Sequence, residues 1–112
     1  FSAASDLRLK ENIRQFSPGL DFIKQLRPVQ YTWRHMDDGQ VFTGLIAQDV
    51  EKLVEEMGFE FSAVVAPEKE EDYYSLRYAE FVMPLINAVK ELAETHEKLS
   101  ARIESLEKMN RE

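Results

Sequence analysis

The sequence contains no cysteine and only two histidines, and both scarcities limit its chemistry. Without cysteine there is neither a disulfide framework nor a thiolate ligand for zinc. His35 and His96 do not have the paired spacing of metal ligands, and His35 falls in a predicted turn beside Asp37 and Asp38. We therefore expect no metal ion and no other cofactor.

Long apolar runs and an excess of basic residues are also missing. No stretch approaches the roughly 20 apolar residues that span a bilayer, and no signal peptide opens the chain, so no membrane partner is expected. The net charge of −7 argues against nucleic acid, because surfaces that hold a phosphate backbone are basic. The sequence contains no glycine-rich phosphate loop and no further acid or base cluster, so an enzyme acting on a small-molecule substrate has little support.

The chain is long enough for one domain with a modest core. Without a projecting C-terminal helix, about 75 residues remain, a size at which isolated domains are marginally stable. Association of several copies would therefore help the chain to fold.

Local patterns predict an α+β fold with short helices, a small hairpin and a long C-terminal helix. Ser17 as cap and Pro18 at the first helical position predict a helix over about 18–26. Helical spacing from Ala47 onward ends at Gly58. The other predicted elements are strands at 29–34 and 41–46 joined by a turn at Asp38 and Gly39, a strand at 59–66, a charged solvated loop at 67–72, and a last strand containing Tyr73, Tyr74 and Leu76.

The C-terminal stretch carries the clearest periodicity, with apolar residues at the a and d positions of four heptads. The predicted seam consists of Val82, Leu85, Val89, Leu92, His96, Leu99, Ile103 and Leu106. Pro84 would break a helix interior, so either the helix kinks there or it begins nearby. The pattern fits two or three strands of a coiled coil. A helix packed on its own domain is the alternative.

Ser5 lies five residues before Lys10, which suggests peptide-bond chemistry. A lysine amine takes a proton from a hydroxyl only when neutral, so its pKa must fall from about 10.4 toward neutrality. Burial on assembly or a nearby guanidinium, such as that of Arg8, would favour the neutral amine. The alternative is that Ser5 caps a short helix and Lys10 lies on the surface.

The sequence around this pair resembles a known family. The motifs that carry the resemblance are Ser5 to Ile13, Tyr31-Thr32-Trp33, Gly44 to Val50 and Ala88 to Leu92. In this order they resemble the C-terminal intramolecular chaperone domain of bacteriophage tailspikes and tail fibres, which is also a self-cleaving peptidase family. The module is similar to the autocleavage domain of the myelin regulatory factor as well.

The resemblance implies a homotrimer that holds an upstream fibre domain of the same polypeptide in register. Residues 1–4 would end the upstream fibre segment, 5–77 would form the chaperone and protease body, and 78–112 would form the trimerisation helix. The module would act in the host cytoplasm during virion assembly and would leave the mature fibre after cleavage.

In this interpretation Ser5 is the nucleophile, and Lys10 is the general base and later the proton donor to the leaving amine. Attack within the same chain reaches the carbonyl of Ala4 and cuts between Ala4 and Ser5. A cut between Ser5 and Asp6 would require attack across a subunit boundary or a different nucleophile. No oxyanion-hole residue can be named from the sequence.

Two other functions remain open at this point. A non-cleaving coiled-coil trimerisation module is the first, because the heptads predict association whether or not Ser5 and Lys10 react. The autocleavage domain of a membrane-tethered transcription factor is the second. The acidity of the chain and its lack of an apolar span favour the phage protein.

Overall fold

The computed structural model describes residues 2–111; Phe1 and Glu112, at the ends of the predicted segments 1–4 and 78–112, lie outside the described residues. The predicted α+β class is confirmed. The elements are α1 (Leu20–Gln25), β1 (Val29–Tyr31), β2 (Phe42–Gly44), α2 (Ala47–Met57), β3 (Val64–Val65), β4 (Ser75–Leu76) and α3 (Val82–Arg111), with 3₁₀ turns at Leu7–Leu9 and Tyr78–Phe81.

Helix α3 determines the shape of the molecule. Its 30 residues extend about 45 Å at 1.5 Å per residue. The radius of gyration is 20.1 Å, whereas a compact domain of about 100 residues has roughly 13 Å. Every residue from Val89 to Arg111 is exposed, so most of α3 projects beyond the body. Among residues 2–111, no helix combines the length and apolarity needed to cross a membrane.

Pro84 lies in the first turn of α3, where it is buried. The second expected outcome, a helix that begins near this proline, is therefore the one observed. Backbone N–H groups in a first helical turn have no intrahelical acceptor, so the missing N–H of proline removes no hydrogen bond there.

The core is small and largely aromatic. The buried cluster at its centre is Phe22, Val50, Leu53, Ala63 and Phe81. The ring of Phe22 meets Phe59 and Phe61 edge-on, with centroids 5.1 and 5.6 Å apart. Helices α1 and α2 and the turn before α3 thus share one apolar centre.

The start of α1 differs from the prediction. The helix begins at Leu20 rather than near residue 18, and its N-cap is Gly19, which has no side chain to offer. The prediction that Ser17 caps this helix and that Pro18 is its first residue was therefore wrong. The Glu91 carboxylate of α3 accepts the hydrogen bond from the Leu20 N–H at 2.9 Å. A carboxylate at a helix N-terminus also complements its partial positive charge.

Asn87 completes this junction between α1 and α3. Its side-chain amide donates to the carbonyls of Phe16 and Pro18 at 2.8 and 2.9 Å. A Cβ added at Gly19 would lie 2.7 Å from Glu91 Oε1 and 2.9 Å from Asn87 Cβ. The close approach of the two helices therefore requires glycine at this position.

The hairpin is confirmed, with shorter strands than expected. Strands β1 and β2 pair antiparallel, with Tyr31 opposite Phe42. In the connection, Gly39 has a φ of +69° and Asp38 Oδ1 accepts from the Gln40 N–H at 3.0 Å. These are the turn features for which aspartate and glycine are suited.

The remaining elements follow the predicted order. Helix α2 ends at Gly58 in the left-handed conformation, as expected, with φ 73° and ψ 40°. Strands β3 and β4 pair antiparallel but cover only two residues each, and Tyr73 lies outside β4. The Tyr74 hydroxyl donates to the Glu51 carboxylate at 2.9 Å, and this hydrogen bond raises the pKa of Tyr74. The bond attaches the end of the loop to α2.

We predict that Gly19→Ala lowers the free energy of unfolding by about 1–3 kcal/mol, because the new Cβ must displace Asn87 or Glu91. Urea unfolding at fixed protein concentration measures the change. Ser17→Ala is the matched control and should stay within about 0.5 kcal/mol, since Ser17 does not cap α1. A larger loss for Ser17→Ala than for Gly19→Ala would contradict this account of the junction.

Candidate serine-lysine site

A single 3₁₀ turn at Leu7–Leu9 brings Ser5 and Lys10 together. The Leu9 N–H donates to the Asp6 carbonyl at 3.0 Å and the Lys10 N–H to the Leu7 carbonyl at 3.1 Å, so the chain reverses within this stretch. Lys10 Nζ then donates a hydrogen bond to Ser5 Oγ at 2.9 Å. The structure therefore places the two candidate residues in direct contact. Their catalytic roles stay a prediction.

Asp6 holds this turn, a role that sequence analysis did not assign. Its carboxylate caps the turn by accepting from the Arg8 backbone N–H at 2.8 Å. It also accepts from Arg8 Nε at 3.1 Å and Nη2 at 2.8 Å. The side-chain bonds to Arg8, and then the backbone bond, hold the pKa of Asp6 below its ordinary value. An aspartate just before a short turn is a typical cap, and that signal was present in the sequence.

The pairing with Asp6 changes what Arg8 does at the site. From the sequence alone, the Arg8 guanidinium was expected to favour the neutral form of the Lys10 amine. The hydrogen bonds to Asp6 raise the pKa of Arg8 and keep it charged. A carboxylate 2.8 Å away offsets most of that charge at the amine. Arg8 therefore stabilises the turn, and any activation of Lys10 needs another source.

The single chain provides contact between Ser5 and Lys10 but no shielding. Every residue from 2 to 15 is exposed, including both members of the pair. Leu7 and Leu9, on the turn between them, are 72% and 73% exposed. The burial that sequence analysis expected from assembly is therefore not supplied within one copy.

The predicted seam occupies one face of α3 and is unused within the chain. Its seven apolar members are between 40% and 63% exposed, and His96 is exposed too. A different face of the helix, bordering the seam at Ala88, packs on the body through Pro84, Asn87 and Ala88. The alternative, in which this apolar face packs on its own domain, does not hold in the single chain. Association through the seam stays a prediction.

The remaining candidate residues lie apart from this site. His35 is in the loop of the hairpin, with its ring 5.7 Å from that of Trp33. In the part of the chain that the structure describes, no three histidine, aspartate or glutamate side chains form a group able to hold a metal ion.

Comparison with protein families gives one match. Residues 5–59 match the family model of Peptidase S74, described as the chaperone of endosialidase. At the level of the family, the match implies an intramolecular chaperone and a self-cleaving serine peptidase. The matched stretch begins at Ser5 and ends just after α2, so it includes the whole turn that carries Ser5 and Lys10.

We predict that Arg8→Gln raises the pKa of the Asp6 carboxyl toward its ordinary value of 3.8, because the largest cause of the lowered pKa is the Arg8 side chain. The charged carboxylate is the form that holds the turn. Its contribution is therefore complete above pH 3.8 and is lost as pH falls through the lowered pKa. NMR titration of the Asp6 carboxyl measures both. Glu11→Gln is the control and should leave the Asp6 midpoint in place; equal midpoints in native and Arg8→Gln chains would contradict the assignment.

Proposed function

Residues 5–59 carry an S74-type intramolecular chaperone domain, and from that premise we propose that this chain gathers three copies of an upstream fibre segment and then releases itself by cleavage at Ser5. The observation that carries the proposal is the 2.9 Å contact between Lys10 Nζ and Ser5 Oγ, at the first residue of the family match.

The exposed seam supports the trimer. Apolar residues at a and d positions associate when water is removed from between helices. Because the body uses the other face of α3, copies can meet at the seam without disturbing the α1–α3 junction. In this register Arg102 takes a g position and Glu107 the following e position, the spacing at which neighbouring chains form an ion pair.

A C-terminal clamp of this kind serves a slow-folding partner. Long fibres with intertwined chains depend on contacts between residues far apart in sequence, which are slow to nucleate. Holding three C-termini side by side lowers the entropic cost of loop closure that remains when the fibre folds. Removal of the clamp leaves the fibre unable to unfold through the clamped state, which makes it kinetically stable.

The proposed reaction is an attack of Ser5 Oγ on the Ala4 carbonyl carbon. Lys10 accepts the hydroxyl proton, the Ala4–Ser5 amide bond breaks, and the amine of Ser5 leaves with a proton returned by Lys10. The ester now joining Ala4 to Ser5 Oγ is hydrolysed by water, which frees the upstream chain. The reach of the hydroxyl supports this side of the serine: attack within the same chain arrives at the Ala4 carbonyl, whereas attack of Ser5 on its own carbonyl would close a strained lactone.

The reaction needs a neutral amine, and the observed hydrogen bond has the lysine as donor. We infer that assembly shields Lys10 from water and thereby favours the neutral form. Cleavage would then wait for the trimer. The location follows from the same proposal: action in the host cytoplasm during virion assembly, and loss from the mature fibre after the cut.

The exposure of Ser5 and Lys10 also favours a second candidate, a trimerisation module that never cleaves. In that case the contact between Lys10 and Ser5 is an ordinary surface hydrogen bond. The autocleavage domain of a membrane-tethered transcription factor would share the chemistry and differ in what lies upstream.

We predict that the chain expressed with its upstream segment is cut beside Ser5, and that Ser5→Ala and Lys10→Ala each slow the cut by roughly three orders of magnitude or more. Denaturing gels follow the cut, and mass spectrometry of the released fragment identifies the bond. Ser17→Ala and Lys24→Ala are matched controls on exposed residues and should be processed normally.

Processing that continues in both site variants would remove Ser5 and Lys10 from the mechanism. An intact native chain that still forms trimers would establish the non-cleaving module instead.

We predict that Leu99→Glu prevents trimer formation and cleavage together, because it places three carboxylates on the seam. Lys98→Glu is the matched control: it introduces the same side chain one residue away, outside the seam, and should leave both intact. Sedimentation velocity measures the assembly. A Leu99→Glu chain that remains trimeric would show that α3 does not associate through this face.

A further inference from the structure

The N-terminal segment, residues 2–15, carries an apolar surface that its own chain leaves uncovered. Leu7, Leu9 and Ile13 are 72%, 73% and 64% exposed. Every residue of the segment is exposed. Single exposed apolar residues are common, but these three fall within seven residues and flank the contact between Ser5 and Lys10. Exposed apolar side chains therefore accompany the candidate site along this stretch of the chain.

A second uncovered apolar surface lies where α3 begins. Met83 and Ile86 are outside the seam and are 50% and 47% exposed, and Val82 beside them is 46% exposed. On a helix with 3.6 residues per turn, Met83 and Ile86 lie along a flank of the seam, next to its member Val82. We call Met83 and Ile86 the α3 strip. A coiled coil needs only its a and d residues, so the apolar face here is wider than the seam requires.

The N-terminal segment is anchored close to this strip. The Asn87 amide donates to the Phe16 carbonyl at 2.8 Å and so holds the residue that directly follows the segment against α3. Asn87 directly follows Ile86 and lies one helical turn after Met83. Even so, the segment and the strip of the same copy both stay exposed, so the chain does not pair them with each other.

We propose that the N-terminal segment of one copy packs Leu7, Leu9 and Ile13 against the α3 strip of a neighbouring copy, and that this contact covers Ser5 and Lys10. The inference rests on the proposed trimer. With the turn at Leu7–Leu9 kept, residues 10–15, when extended, span up to about 20 Å, whereas the axes of packed helices are about 8–10 Å apart. The segment therefore reaches the next copy from its anchor at Phe16.

Charge favours a second copy of this chain as the occupant. The segment contains Arg8, Lys10 and Arg14 against Asp6 and Glu11, so it is weakly basic. The chain as a whole has a net charge of −7. A basic segment is attracted to an acidic neighbour and is repelled by other basic segments. In this arrangement the site is incomplete in one copy, because a neighbour supplies the cover that excludes water.

The absence of native cysteine allows a direct test by thiol labelling. Ile13→Cys is introduced in the chain with its upstream segment and Ser5→Ala, so that the chain stays uncut throughout the measurement. We expect the thiol to react with a maleimide at least about tenfold more slowly in the trimer than in the same chain carrying Leu99→Glu, since reaction then requires local opening. Val41→Cys is the control, because Val41 is 58% exposed in the hairpin connection and should react equally in both backgrounds.

A second variant identifies the covering surface. Ile86→Glu places a charge on the α3 strip outside the seam, so it should keep the trimer and restore fast labelling of the Ile13→Cys thiol. Fast labelling of Ile13→Cys in a trimer confirmed by sedimentation would overturn this inference and leave the proposed function standing. A seam-intact chain that sediments as a monomer would instead overturn the proposed function, and the inference with it.

Discussion

Helix α3 has one face packed on the body and another face exposed, and the rest of the molecule depends on this division of its surface. One face holds the body: Asn87 and Glu91 bind the backbone that leads into α1, and Gly19 allows the two helices to approach. The other face leaves its apolar residues in water. Because the helix is rigid over its first turns, any register that the seam sets between copies also sets the positions of their bodies.

At the candidate site, the contact between Ser5 and Lys10 and the activation of the lysine amine have different physical requirements. A local turn, capped by Asp6 and reinforced by Arg8, is sufficient to bring Lys10 Nζ to Ser5 Oγ. It does not remove water from either group. An amine in water remains protonated at neutral pH, so geometry alone does not make a general base. In the proposed mechanism, association between copies supplies the missing burial, which links the cut to assembly.

Local patterns predicted the elements whose causes are local. The hairpin with its turn at Asp38 and Gly39 and the helix that ends at Gly58 were expected and are present. The contact of Ser5 with Lys10 also follows from a short stretch of chain. The start of α1 was predicted wrongly, because Ser17 and Pro18 resemble a helix start while the actual cap comes from Glu91, far along the sequence.

The sequence by itself determined the α+β class, the order of the elements, the heptad face of α3 and the spacing of Ser5 and Lys10, since each depends on periodicity or on neighbours in the chain. Only the tertiary structure decided which face of α3 packs on the body and what caps α1. These depend on which atoms meet across large sequence separations, where propensity carries no information. The exposure of Leu7, Leu9 and Ile13 belongs to the same group, because burial is a property of the packed chain.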